Sequence, residues 1–341
     1  MKESDQFLQD VSKGLDKQFL SIDIAKLLSM FGVVYIHSDG YMSTYFRFGV
    51  PLLISISFFL AERKFAKDKI QMASFFKKRI PRLAIPFFIW SLFYFIINHQ
   101  SHYESFLKVI TKHWTGFGWS GQYYLIVLLS LTLLYPWLRR SQVTSSLILF
   151  ISFFTIICFY IPFNYLAVSS IVRKLGPVPF FYWLFYFYLG IYAARKYDEI
   201  QIALAPIKPV YKIIALAFIP FLMIFEDTYV SSIEIAQDSY FRFSTIIVSA
   251  LVFFLFLSLE DWLKSQLQSF KYILSWLSSW SLGIYCLNPF FIGLLNKKLV
   301  HSNDFIPASL FLSTFNSLLL CIACLIVSYL IFKFKGGLLV K

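Results

Sequence analysis

A chain of 341 residues that is 58% hydrophobic, 21% aromatic and only 14% charged lacks the polar surface that a soluble domain of this length must expose. Its apolar runs, about 15 to 24 residues long, suit spanning helices and exceed the roughly 10-residue strands of a membrane barrel. The formal charge of +13 then belongs to basic loops beside anionic lipid and gives no reason to invoke nucleic acid.

The first 19 residues are polar and of mixed charge and read as a cytoplasmic segment. No small-residue cleavage site follows the first apolar run, so no removable signal peptide is expected. Ten candidate spans follow at about 20–37, 46–61, 83–98, 122–138, 146–164, 178–194, 209–226, 241–259, 272–294 and 308–332. They predict one all-α transmembrane domain over 20–332 and a cytoplasmic tail at 333–341. Several spans contain proline (Pro51, Pro86, Pro136, Pro220, Pro289), tolerated where neighbouring helices re-satisfy the freed backbone. With the N-terminus inside, the inner segments carry 21 Lys and Arg against 6 in the outer loops. That bias places both termini in the cytoplasm of a multi-pass cell-membrane (plasma or inner membrane) protein.

The first span, "SIDIAKLLSMFGVVYIHS" (21–38), carries Asp23, Lys26 and His37. A step of three and then of eleven residues puts them near one helix face, with lysine and imidazole about 16 Å apart along the axis. Ionisable groups inside spans tend to line polar cavities or pathways. An imidazole titrates near neutrality and can take a proton from a hydroxyl, which makes His37 a candidate general base. The plainer reading is an interfacial histidine in water and an Asp23–Lys26 pair.

In "FFKKRIPRLAIPFFIW" (75–90), Lys77 and Lys78 read as topology signals, whereas Arg79 and Arg82, spaced i, i+3, share a face suited to phosphate or pyrophosphate. "SGQYYLIVLLSLTLLYPWL" (120–138) supplies Gln122, Tyr123 and Tyr124, either a sugar-facing set or an aromatic belt. "SWSLGIYCLNPFF" (279–291) places Ser281, Tyr285 and Asn288 in an apolar span, either as cavity lining or as close helix packing. His99, His102, His113 and His301 read as solvated loop residues with no metal site expected, since His99-x-x-His102 lacks a third ligand. Glu226, Asp227, Glu234 and Asp238 read as an acidic outer loop. Cys158, Cys286, Cys321 and Cys324 all fall in apolar runs and read as packing residues.

Together these stretches resemble the acyltransferase 3 family of multi-span membrane acyltransferases, many of which O-acetylate surface polysaccharides. "DIAKLLSMFGVVYIH" matches the family's Asp, basic residue and His at Asp23, Lys26 and His37. "RFGVPLLISISFFLAERK" matches its glycine-valine element with Gly49, Val50 and Ser57, and Arg79, Arg82 and Pro86 match its R-x-x-R followed by proline. The chain departs at Gln122 and Asn288, where the family commonly has histidine.

The resemblance implies an O-acyltransferase, most simply an O-acetyltransferase, using cytoplasmic acyl-CoA, usually acetyl-CoA, as donor with no permanently bound cofactor. Donor phosphates would lie near Arg79 and Arg82, and His37 would act as base on an acceptor hydroxyl. Asp23 and Lys26 would orient the donor or pair with each other. Gln122, Tyr123, Ser281, Tyr285 and Asn288 would line the acceptor or cavity. The implied partners are membrane lipid, a capsule, exopolysaccharide or other surface polysaccharide or its lipid-linked precursor, and polysaccharide-assembly proteins. A transporter or flippase of a lipid-linked sugar is the main alternative. A lipid-dependent glycosyltransferase, with Asp39 as its acid, is the other.

Overall fold

The computed structural model describes residues 19–68, 72–99, 118–160, 177–231, 242–299, 310–334 and 336–340. Every element assigned among them is helical. The first half holds α1 (Leu20–His37), α2 (Gly49–Asp68), α3 (Met72–His99), α4 (Gln122–Leu138), α5 (Ser145–Thr155) and α6 (Leu184–Arg195). The second holds α7 (Tyr197–Leu204), α8 (Pro209–Phe218), α9 (Phe221–Ser231), α10 (Phe243–Ser258), α11 (Glu260–Gln266), α12 (Lys271–Ser278), α13 (Ser281–Leu299), α14 (Leu310–Lys333) and α15 (Gly337–Val340). His102, His113, His301, Glu234 and Asp238, and the side chain of His99, lie outside the described residues.

Five of the described stretches are long and apolar enough to cross a membrane: Leu20–His37, Ser43–Phe65, Met72–Ile97, Pro209–Val230 and Leu310–Lys333. Two bent pairs, α10 with α11 (52°) and Gln268–Ser278 with Ser281–Leu294 (55°), bring the number to seven if each is one span. By length and composition the described residues thus give five to seven of the ten expected spans. Gln122–Leu138 and Ser145–Cys158 are shorter apolar helices. The run at 146–164 changes from α-helix to a π turn at Ile156–Tyr160, and the run at 178–194 begins as a 3₁₀ turn at Phe180–Trp183. Such changes of helix type cut a continuous apolar run into short pieces.

Lipid gives apolar side chains no reason to leave it, so close backbone approach and internal polar bonds must hold the helices together. At Gly190 of α6 a Cβ would run into the Ser55 carbonyl and come 3.0 Å from the Phe59 nitrogen of α2. Glycine therefore lets these two helices touch. Beside that contact, the tilted rings of Phe58 and Phe187 pack at 4.5 Å and Phe59 and Phe253 meet edge to face at 5.9 Å.

Carboxylates supply the polar bonds. Glu62 of α2, 5% exposed, meets Arg139 Nε at 3.2 Å and Arg195 Nε at 3.0 Å, and accepts from the Tyr135 hydroxyl. Arg195 also donates to the Arg139 and Ser141 carbonyls, so one buried carboxylate ties α2, α4 and α6. Glu260 at the α10–α11 bend accepts from the Leu20 and Ser21 backbone amides (3.0 and 2.8 Å) and so caps α1 from across the bundle. Two of the four amides that any helix start leaves orphaned find an anion there.

Glu226 and Asp227 belong to α9, not to a loop. Glu226 accepts from the Phe243 and Ser244 amides that open α10, while Asp227 holds Arg242 (2.8 Å) and accepts from Thr44 Oγ1 (2.9 Å). Their sequence neighbourhood is polar enough to read as a loop, but capping a second helix start fixes them in a helix. At the C-terminus, 337–340 of the expected tail form α15, with Val340 fully buried and the Leu339 carbonyl accepting from Trp90 Nε1 (3.1 Å).

Removing the Glu62 carboxylate leaves two guanidinium groups facing each other. Because Arg139 and Arg195 are 28% and 32% exposed, Glu62→Ala should cost about 2 kcal/mol, below the range for a fully buried pair. Thermal unfolding of the detergent-solubilised protein should show a lowered Tm, with Glu62→Gln intermediate. An unchanged Tm for Glu62→Ala would remove this brace from the account.

Candidate functional site

A cavity of about 610 Å³ opens between α1, α2, α3, α4 and α13. Its polar wall is cationic: Lys64 from α2 and Lys78, Arg79 and Arg82 from α3, with no Asp or Glu among the lining residues. Leucines and Met30 form the apolar walls, and Tyr124 and Tyr285 belong to the lining as well.

Arg79 is held rather than floating. Its Nε donates to Thr132 Oγ1 (3.1 Å), its Nη atoms reach the Ser57 carbonyl and hydroxyl, and its guanidinium lies 5.2 and 5.5 Å from the Phe58 and Phe75 ring centres. A planar fork fixed on two sides presents its remaining donors in one orientation, which a lysine ammonium cannot do. Lys78 and Arg82 are exposed.

His37 closes α1 and is partly buried. Its Nδ1 lies 2.9 Å, and its Nε2 3.3 Å, from Ser120 Oγ, and the charge of Arg47 acts on the ring through space. The turn that follows is pinned to α14: Ser38 Oγ meets Ser317 Oγ at 3.0 Å and the Tyr41 amide donates to Ser313 Oγ at 3.0 Å. Within it Asp39 (φ 51°) and Met42 (φ 56°) take left-handed conformations that cost side-chain-bearing residues about 1 kcal/mol each.

Tyr285 joins the cavity to this corner. Its ring lies 4.9 Å from that of Tyr124, and its hydroxyl donates to the Gly121 carbonyl at 2.7 Å. Gly121 has φ 90° and immediately follows Ser120.

Of the residues singled out from sequence, Ser57, Arg79, Arg82, Tyr124, Ser281 and Tyr285 line the cavity; His37 does not, and is linked to it through Ser120, Gly121 and Tyr285. Gln122 lines no part of the cavity. It is buried, accepts from the Gly118 amide and donates to Ser91 Oγ, both at 2.7 Å, and so shapes the turn before α4. Tyr123 stacks on Trp183 at 5.9 Å. Asp23 accepts from Ser278 Oγ at 2.6 Å and lies 3.4 Å from Lys26 Nζ, tying the far end of α1 to the α12–α13 break.

Asn288 repairs a helix. Pro289 has no N–H to give the Tyr285 carbonyl its i→i+4 bond, and Asn288 Nδ2 donates there instead at 2.7 Å. One residue on, the Tyr94 hydroxyl donates to the Cys286 carbonyl (2.6 Å) and accepts from the Phe290 amide (3.1 Å). The bond between those two backbone groups, broken at the proline, thus runs through a phenol.

Ser120, Thr132, Lys64 and Arg47 are not site candidates on the sequence alone, because isolated polar residues in turns or within apolar helices follow no period. The one usable signal for Ser120 is its place before a glycine at the start of a span.

A family model described as an acyltransferase domain, that of the acyltransferase 3 family, matches residues 19–333. Comparison with curated proteins and with solved structures found no match.

The positive φ of Gly121 and the 2.7 Å at which an added Cβ would meet the Tyr285 hydroxyl give two separable penalties for Gly121→Ala. Gly121→Ala should lower Tm by the equivalent of about 2 kcal/mol, and Tyr285→Phe should remove part of that cost by removing the clashing oxygen. A double-mutant cycle on thermal unfolding measures this, and full additivity would show that the two residues do not meet.

Proposed function

This chain belongs to the acyltransferase 3 family and is a multi-pass membrane acyltransferase, and we propose that it moves an acyl group, most simply acetyl, from cytoplasmic acyl-CoA to a hydroxyl of a surface polysaccharide or its lipid-linked precursor. The observation that carries this reading is the cavity itself: four cations, no carboxylate in the lining, apolar walls, and Tyr285 leading to the His37 corner.

Coenzyme A presents several phosphate charges at one end and a thioester at the other, joined by a slender arm. Arg79, held by Ser57 and Thr132, grips a phosphate with its remaining donors, while the exposed Arg82, Lys78 and Lys64 neutralise the rest. The apolar walls accept the arm, and Tyr124 and Tyr285 receive its thioester end. Lys and Arg bias puts the cations toward the cytoplasm and His37 toward the outer face, where sugar hydroxyls arrive. His37 then takes the hydroxyl proton as the new ester forms, and the thiol leaves with a proton.

The Asp23–Lys26 pair contributes by fixing α1, and with it the height of His37, against the α12–α13 break. Gln122 and Asn288, replacing the family's usual histidines, act on the backbone that surrounds the acceptor side.

His37→Ala should insert normally and abolish acylation of the surface glycan, read by mass spectrometry of that glycan. Acylation that persists while export or chain length changes would point to a transporter. Arg79→Ala should weaken acyl-CoA binding in detergent by about tenfold or more, and Arg79→Lys should recover little of it because the fork to Ser57 and Thr132 is lost. Arg82→Ala should have a smaller effect that shrinks as salt rises. Unchanged affinity in both alanine variants would refute the donor site.

A further inference from the structure

We propose that Ser120 is the nucleophile of a two-step transfer, carrying the acyl group as an ester between donor and acceptor, an inference that rests on the acyltransferase reading above. Ser120 Oγ lies 2.9 Å from His37 Nδ1 and 3.3 Å from Nε2, against the imidazole, and a turn of the ring aims one nitrogen's lone pair at the hydroxyl it would activate. Ser120 stands on an exposed turn, while the next residue, Gly121, is hydrogen-bonded to Tyr285 of the cavity lining. Gly121, at φ 90°, supplies the sharp corner that presents the serine outward while its own carbonyl points to the phenol.

Neither His37 nor Ser120 lines the cavity. A donor in the cavity and a bulky acceptor outside would both have to reach one carbonyl carbon at once for direct transfer. A hydroxyl on the turn between them serves each in succession. In the first step Ser120 Oγ bonds to the thioester carbonyl carbon, the C–S bond breaks, and the Oγ proton passes to His37 and on to the departing thiolate. In the second step the acceptor oxygen bonds to the same carbon, the C–Oγ bond breaks, and the acceptor proton returns through His37 to Oγ. With no acceptor present, water takes the second role, so the proposal also assigns the protein a slow acyl-CoA hydrolase activity.

The test uses the purified full chain in lipid nanodiscs with isotope-labelled acetyl-CoA and no acceptor, quenched in acid and analysed by peptide mass spectrometry. The expected result is one acetyl group per chain on the peptide containing Ser120, with a matching burst of free thiol. Both should be absent in Ser120→Ala and His37→Ala. Ser120→Cys should carry the label as a thioester released by neutral hydroxylamine, which leaves a serine ester in place. Ser120→Ala should bind acetyl-CoA as the wild type does and lose glycan acylation by about a hundredfold or more. Wild-type transfer to glycan with no protein label, together with a Ser120→Ala variant retaining more than about a tenth of that transfer, would overturn the nucleophile and leave His37 as base in a direct reaction. Wild-type protein that neither binds acetyl-CoA nor releases thiol, with glycan acylation intact in His37→Ala cells, would overturn the acyltransferase site and this inference with it.

Discussion

Inside a bilayer a charge, a helix end or a broken helix has no water to turn to, and every such group must find its partner within the protein. That constraint explains most of the long-range bonds in this bundle. Glu260 serves the start of α1, Glu226 the start of α10, Glu62 two arginines, and Asn288 and Tyr94 the backbone that Pro289 interrupts. Glu260, Glu62 and Tyr94 join elements distant in sequence, so there satisfying the polar groups and assembling the helices are one process. Set beside these, the cavity wall stands apart: Lys64, Lys78, Arg79 and Arg82 gather with no carboxylate in the lining. Arg79 is braced by Ser57 and Thr132, whereas Lys64, Lys78 and Arg82 are exposed and so open to the anionic donor proposed above.

Geometry separates the cationic wall from His37. Along α2, Gly49 to Lys64 spans about 22 Å. The turn before Gly49 adjoins His37, and Lys64 lies on the cavity wall among the other cations. The donor proposed above, charged at one end and reactive at the other with a narrow arm between, matches that layout. A compact anion would occupy the wall and never approach His37.

The sequence made α1 legible because a charge in an apolar run is conspicuous, and the helix does run unbroken from Leu20 to His37. What its polar residues meet was not disclosed. Ser120 lies 83 positions from His37 and Ser278 lies 255 from Asp23, and no periodicity reports contacts at such separations. Asp23 anchors one end of α1 to Ser278, and His37 meets Ser120 at the other. Hydropathy likewise measured apolar content well but not helix length, because the π turn at Ile156–Tyr160 and the 3₁₀ turn at Phe180–Trp183 are set by packing. Glu226 and Asp227 looked like loop residues because their role as partners of α10 is tertiary. Asn288 was legible in principle: an amide directly before a mid-span proline is well placed to replace the bond that the proline removes.

Tyr285 shows how these requirements converge on one residue. Its carbonyl is the one Pro289 orphans and Asn288 rescues, its ring packs against Tyr124 at the cavity, and its hydroxyl holds Gly121. Substituting Asn288 would therefore disturb more than a helix kink. Freeing the Tyr285 carbonyl loosens the turn of α13 that carries the ring, and the ring is what fixes the corner bearing Ser120 against His37. Asn288 supplies the donor that the kink needs, and the packing of the Ser120–His37 corner depends on that donor.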